Sequence, residues 1–186
     1  MLTQKTPPAS EVVFGSDVRK YLRMDSTEYD DILDDYAAAA RLAAEKWTRR
    51  SFIYTTWYYT LDENKIDDSI RLPRPPLSTS TAPIITTYDF ANAAHTQLST
   101  TYTVDTYVEP GRIFLNIGAI WNIPRRDRSA MRIEYVAGYG AMAASVPADI
   151  KLAITETAAW WYNSGEITDI PQKVIERLQP YRVLLF

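Results

Sequence analysis

Few residues in this chain of 186 have side chains that support catalysis. The sequence has no cysteine and one histidine, His95, so a Ser–His–Asp triad would have to use that imidazole. We predict that residues 92–96 form a hairpin tip, which holds a triad poorly, and no nucleophile elbow is present. Paired carboxylates can cleave glycosides, but the sequence alone does not place two of them in one cleft. We therefore expect no enzymatic activity and no cofactor.

Acidic side chains crowd the start of a predicted helix over residues 25–50. They are Asp25, Glu28, Asp30, Asp31, Asp34 and Asp35. Together with Lys46, Arg49 and Arg50 at the other end, they complement the helix dipole. Some of the acids are four positions apart, a spacing that a divalent ion can use, but the glycine turn and further ligands of a calcium loop are missing. We therefore expect no bound metal.

Two aromatic runs, residues 57–59 and 160–162, are candidates for stacking on a sugar. The first run is predicted to lie on a strand, where neighbouring side chains point to opposite faces and do not share one surface. In the second run Trp161 is in phase with the apolar face of a helix, whereas Trp160 is rotated by about 100°. We expect core packing for Trp161 and a subunit contact for Trp160.

Composition excludes several classes of protein. The net charge of −3 argues against a general nucleic-acid binder, which should be strongly basic. Without cysteine, disulfides and thiolate zinc sites are excluded. No apolar run approaches the ~20 residues that cross a bilayer, and residues 1–10 lack the apolar core of a signal peptide. We expect a soluble protein that is made in the cytoplasm and does not associate with a membrane.

The hydrophobic spacing changes twice along the chain. Apolar residues recur every three or four positions in residues 25–50 and again after Pro147, which predicts amphipathic helices. Shorter helices are predicted at residues 18–23 and 171–178. Between the helical ends, β-branched and aromatic residues predict about five strands. The strands are expected at residues 52–61, 84–90, 97–105, 112–117 and 131–137.

This order of elements predicts an α+β fold, in which a helical body from the N- and C-terminal helices carries an inserted small antiparallel β module. We expect one domain over residues 1–186. Its predicted parts are a flexible arm (1–13), helices (14–50), the β module (52–140), helices (147–180) and an apolar tail (181–186).

A series of short segments, in this order, resembles the head–tail connector (adaptor) proteins of tailed bacteriophages and related prophage elements. The segments are VRKYLRM (18–24), WTRR (47–50), IRLPRPPL (70–77), YTVD (102–105), EPGR (109–112), YVAGYG (135–140), VP (146–147) and PYR (180–182). No single segment is diagnostic, but the ordered set covers nearly the whole chain.

The resemblance implies a structural virion protein without enzymatic activity, located at the head–tail junction. Such a protein would form a homo-oligomeric ring, expected to be a dodecamer, beneath the portal protein of the DNA-filled head. The ring would extend the channel used in DNA ejection, and DNA would pass through it without specific binding. Its far side would offer a platform to a stopper or tail-completion protein.

The resemblance also suggests roles for three sets of residues. A portal-docking tail is expected at Tyr181, Arg182, Val183, Leu184, Leu185 and Phe186, although an apolar tail can instead pack against its own core. The acidic start of the long helix is explained by capping and the helix dipole. The functional alternative is a channel lining of negative charge, which would keep DNA from sticking, with Glu28, Asp30, Asp31, Asp34 and Asp35 as candidates. Contacts with a neighbouring subunit or the portal are expected at Arg125, Arg126 and Arg128, with Trp160 as a further subunit contact.

Two other functions fit the same residues. One is another neck or DNA-packaging component with the same α+β body. The other is a glycan-binding β module that uses its aromatic side chains. A connector predicts ring formation that depends on the portal, whereas a glycan-binding module predicts tryptophan fluorescence that sugars quench.

Overall fold

The computed structural model describes residues 1–122 and 125–184, and it has the predicted α+β fold. The chain divides into two compact units. The β unit consists of Met1–Pro8 with Tyr54–Gly138, and the helical unit consists of Ala9–Ile53 with Tyr139–Phe186. An antiparallel β module is thus inserted between N- and C-terminal helices, as the change of hydrophobic period predicts.

The helical unit contains α1 (Gly15–Leu22), α2 (Asp30–Thr48), α3 (Ala148–Ser164) and α4 (Gln172–Leu178). Ala37, Ala40 and Ala44 form the buried face of α2, and these small side chains let α3 approach closely. Ile154 and Trp161 of α3 lie in the same core. Burying a large apolar side chain stabilises a fold by roughly 1.5–3 kcal/mol, so this face holds the unit together.

The start of α2 differs from the prediction. The helix begins at Asp30, so Asp25 and Glu28 precede it and do not form its cap. A Cβ on Gly15 would lie 2.2 Å from the Asp30 carbonyl oxygen, which shows how closely α1 and α2 approach at their starts. Residues 23–29 are therefore needed to connect the end of α1 to the start of α2.

The β unit has eight strands in its described residues rather than about five. They are β1 (Leu2–Thr6), β2 (Thr55–Leu61), β3 (Ser69–Arg71), β4 (Ile84–Tyr88), β5 (Ala94–Thr96), β6 (Tyr102–Asp105), β7 (Arg112–Leu115) and β8 (Met131–Ala137). One sheet has the order β1-β2-β8-β4-β5 and the other has the order β3-β7-β6. All the strand pairs are antiparallel.

The centre of the larger sheet is β8, and its side chains alternate strictly. Met131, Ile133, Tyr135 and Ala137 are buried, whereas the residues between them are partly exposed. This alternation is the period of two that places one face of a strand on the core. Ile113 of the smaller sheet belongs to the same core, so the two sheets share one apolar interior.

The prediction of a flexible arm over residues 1–13 is wrong for its first half. Leu2–Thr6 forms β1, which pairs with β2 at the edge of the larger sheet. The Met1 ammonium donates a hydrogen bond to the Thr60 carbonyl at 2.6 Å, and Lys5 pairs with Glu134 at 2.5 Å. The polar composition of this segment reflects an exposed edge strand, where charged side chains are common.

The predicted strand over residues 97–105 is shorter in the structure. Residues 99–101 form a 3₁₀ turn, and only Tyr102–Asp105 is extended. The buried Gln97 side chain supports this turn, because it donates to Thr101 Oγ1 at 2.7 Å and to the Ile120 carbonyl at 3.1 Å. These bonds hold the chain in a turn despite its alternating sequence, because a buried amide must be hydrogen-bonded.

Candidate interaction surfaces

The acidic residues predicted as a channel lining divide into two groups. Asp30 pairs with Arg19 at 2.9 Å, and Asp34 accepts a hydrogen bond from the Gly15 N–H. These two carboxylates bind α1 to α2. The other members, Glu28, Asp31 and Asp35, are exposed, and their carboxylates pair with no cation in the described part of the chain.

Arg125, one of the arginines predicted to contact a neighbouring subunit or the portal, is bonded within the β unit. Its guanidinium donates to both Glu63 carboxylate oxygens at 2.6 and 2.7 Å. It also donates to the carbonyls of Trp121 and Asn122 at 3.1 and 2.9 Å, and its side chain is 12% exposed. Arg125 therefore holds the loop before β8 in place.

Arg126 and Arg128 differ from each other in exposure. The Arg126 guanidinium lies over the Tyr88 ring at 4.6 Å and donates to the Asn92 side-chain oxygen at 2.7 Å. Arg128 is exposed and lines a depression with acidic neighbours that include Asp127. Arg128 is therefore exposed, whereas Arg125 and Arg126 are partly buried.

The described part of the predicted tail is anchored to the helical unit. The Tyr181 carbonyl accepts a hydrogen bond from Arg50, and the Val183 N–H donates to the Thr48 carbonyl at 2.9 Å. Arg182 lies over the Trp47 ring at 4.9 Å, and the Val183 side chain is buried. Residues 181–183 therefore pack against their own core, which is the alternative that the sequence left open.

Beyond Val183 the contacts change. The Leu184 side chain is 57% exposed, while Leu185 and Phe186 lie outside the described residues. Of the predicted portal-docking tail, Leu184 is the described apolar residue that remains available to a partner.

The two tryptophans of α3 lie as their helical phase predicts. Trp161 is 1% exposed and belongs to the core, whereas Trp160 is 57% exposed. A large exposed aromatic side chain on a helix is a common element of protein contacts, so Trp160 stays a candidate for one.

A groove in the helical unit was not predicted from the sequence. It has a volume of about 800 Å³ and lies along the second half of α2, the segment before α4, and α4 itself. Its apolar wall includes Trp47, Trp161 and Ile175, and Lys46, Arg49 and Arg182 supply positive charge. The signal for it in the sequence is the pair Lys46 and Arg49, whose charge also complements the helix dipole.

Two features bear on metal binding and histidine chemistry: the grouping of possible metal ligands and the surroundings of His95. Within residues 1–122 and 125–184, no group of three or more His, Cys, Asp or Glu side chains could hold a metal ion. His95 lies on β5, and its Nε2 is 2.9 Å from the Asp89 carboxylate. That hydrogen bond is the main reason that the pKa of Asp89 is lowered.

The helices that the structure describes were also compared with the length and hydropathy of a membrane span, and none of them reaches both.

Comparison with known proteins finds similarity in structure. No protein-family model matches the sequence, and no curated protein matches it. A chain of the neck of an empty GTA (gene transfer agent) particle, computed with C6 symmetry, aligns with a TM-score of 0.83 at 22% identity. A chain of the virion of the native GTA particle aligns with a TM-score of 0.81 at 21% identity.

A third chain comes from the neck of the native GTA particle, computed with C12 symmetry, and aligns with a TM-score of 0.76 at 21% identity. In each case the alignment covers 100% of this chain and 97% of the other. The three chains from GTA particles therefore share the fold of this protein. Because the match extends over the whole length, it includes the β unit and the helical unit together.

Proposed function

We propose that this protein is a structural subunit of the neck of a virion or a related particle, located at the head–tail junction. The observation that carries the proposal is the match over the full length to chains from GTA particle necks. The exposed Trp160 and Leu184 side chains suit protein contacts.

The proposed assembly is a homo-oligomeric ring, with twelve subunits as the expected number. The C12 symmetry of one similar neck supports a cyclic arrangement of this fold. In a cyclic ring each subunit presents one surface to a different surface of its neighbour. The subunits would surround a channel through which DNA passes without specific binding, in keeping with the net charge of −3.

The proposed position of the ring is beneath the portal protein, with a stopper or tail-completion protein on its far side. We assign portal docking to the end of the chain from Leu184 onward, because residues 181–183 are already bonded to the helical unit. Repetition around a ring would make twelve modest contacts act as one strong attachment.

Electron microscopy of the protein mixed with its cognate portal tests this function. We expect an additional ring on the portal, lost when residues 184–186 are deleted. This deletion spares the hydrogen bonds of Tyr181 and Val183, which removal of residues 181–186 would break. The matched control is Ile117→Ala, which truncates an exposed apolar side chain of the β unit and should leave the ring intact.

Each result separates the proposed function from its rivals. Portals without an added ring at high protein concentration would contradict the position beneath the portal and favour another neck or packaging component. Rings that persist without residues 184–186 would contradict the docking role of the tail and leave the ring itself standing.

A further inference from the structure

The helical unit carries a second charged surface, at the opposite end of α2 from the groove. We call it the acidic patch, and its residues are Glu28, Tyr29, Asp31, Ile32 and Asp35. All five are exposed, and their spacing along the start of α2 places Ile32 between the carboxylates. The patch therefore combines negative charge with exposed apolar surface.

The acidic patch is more than a complement to the helix dipole. Dipole stabilisation falls off after the first turn of a helix, and Asp35 lies beyond it. Asp31 and Asp35 are one turn apart, where like charges repel. Glu28, Asp31 and Asp35 lack a cation partner among the described residues, so their repulsion is unrelieved within one subunit.

The groove has the opposite character. Lys46, Arg49 and Arg182 face a single acidic lining residue, Asp169. Lys46 and Arg49 are exposed and form no ion pair within the part of the chain that the structure describes. Apolar side chains also line the groove, among them Ile167, which is 62% exposed.

The lining of the groove indicates what kind of segment it can receive. The positive charge of Lys46 and Arg49 suits carboxylates, and the exposed Ile167 suits apolar side chains. The groove is thus suited to a segment that carries both.

We infer that the groove of one subunit receives the acidic patch of a second copy. The two surfaces are opposite in charge, and each has charged groups without an ion-pair partner in the described residues together with exposed apolar side chains. They lie at opposite ends of a helix of 19 residues, which is roughly 28 Å long at 1.5 Å per residue. One subunit therefore cannot join its own two surfaces, and the contact forms between copies.

Contact between two different surfaces of identical subunits is heterologous, and its repetition forms a ring when the rotation between neighbours closes. The inference rests on the proposed function only for the number of subunits, since the contact itself needs no portal. It assigns Glu28, Asp31 and Asp35 to a subunit contact instead of the channel wall.

Crosslinking tests the contact directly, because the native chain has no cysteine. The single variants Ile32→Cys and Ile167→Cys alter exposed side chains, one in each surface. They are mixed, with and without portal, and treated with a short bis-maleimide. We expect at least tenfold more covalent dimer from the mixture than from either variant alone. No excess in either condition, or a dominant dimer from Ile32→Cys alone, would overturn the inference.

Charge reversal gives a second, independent readout. In the cysteine backgrounds, reversing the groove (Lys46→Glu with Arg49→Glu) or the acidic patch (Asp31→Lys with Asp35→Lys) should lower the dimer yield at least tenfold. Combining both reversals in one chain should restore it, because opposite charges meet again. Lys173→Glu, an exposed change on α4 outside the groove lining, is the control and should have no effect.

The outcomes keep this contact separate from the proposed function. Crosslinks without a ring on the portal would support the contact while contradicting the position beneath the portal. Rings on the portal without crosslinks, or with unchanged yield after charge reversal, would overturn the contact and leave the proposed function standing.

Discussion

Arg41 and Glu45 lie one turn apart in α2, are both buried, and share a hydrogen bond of 2.9 Å. The other guanidinium nitrogens of Arg41 donate to both carboxylate oxygens of Glu11. The second oxygen of Glu45 accepts a hydrogen bond from the Phe52 N–H at 2.7 Å. This network binds the segment before α1 and the segment after α2 to the same helix, so it fixes both ends of the N-terminal part of the helical unit.

Replacing Arg41 with methionine should strongly destabilise the helical unit. The Glu45 and Glu11 carboxylates would lose the buried guanidinium that donates to both of them, and removing one partner of a buried pair costs about 3–5 kcal/mol. We expect the free energy of unfolding, measured by denaturant titration, to fall by that amount. Lys20→Met, which removes an exposed ion pair with Asp17, is the control with an expected change of ~0–1 kcal/mol. Equal losses in the two variants would contradict this role of Arg41.

Removing the hydroxyl group of Tyr135 should have a smaller effect on the β unit. Tyr135 is buried in β8, and its hydroxyl donates to the Pro73 carbonyl at 2.7 Å. Tyr135→Phe should therefore lower the free energy of unfolding by ~1 kcal/mol, the usual net value of one such bond. Tyr107→Phe alters a tyrosine that is fully exposed and should leave stability unchanged. A loss that is no larger for Tyr135→Phe than for this control would argue against the bond.

The fold class and β8 could be predicted because hydrophobic spacing alone decides them. Apolar side chains in β8 alternate strictly, and the predicted strand at residues 131–137 is confirmed without a change of bounds. By contrast, β1 has few apolar residues, and its strand pairing depends on β2, which is far away in the sequence. Local spacing carries no information about such a partner.

Contacts between residues far apart in the sequence also limit what can be predicted about the candidate site. Arg125 looked like a surface charge because nothing in the neighbouring sequence indicates Glu63, which lies 62 positions earlier and binds it. The groove was missed because α2, α3 and α4 contribute to its wall, and periodicity describes each helix by itself. Trp160 and Trp161 were assigned correctly to outside and core because helical phase determines that difference.

Arg125 and Arg128 should differ sharply when each is replaced with alanine. Arg125→Ala removes four hydrogen bonds, two of them to the Glu63 carboxylate. Bonds to charged groups contribute more than neutral ones, so we expect a loss of about 2 kcal/mol in the free energy of unfolding. Arg128→Ala, at an exposed site on the same loop, should change it by less than ~0.5 kcal/mol. Thermal or denaturant unfolding of the two variants measures the difference, and a reversed order would show that Arg125 serves a partner instead of the fold.

The stability of the β unit should also depend on two partly buried carboxylates at low pH. The Ser129 N–H donates to Asp62, which lowers the pKa of that carboxyl. The hydrogen bond from His95 and the N–H groups of Ala93 and Ala91 lower the pKa of Asp89. A lowered pKa in the folded state means that the stabilisation is complete above the unfolded pKa of ~3.9. It is lost as the pH falls from there through the folded values.

Unfolding free energies measured from pH 6 down to acid conditions should therefore decline for the native protein. Asp62→Asn with Asp89→Asn keeps an acceptor oxygen at each position but removes the titration, so we expect a shallower decline for this variant. The difference should grow only once the pH falls below the usual aspartate range, because above it both native carboxylates are ionised in the folded and the unfolded chain. Parallel profiles over the whole range would show that these two groups do not link protonation to folding.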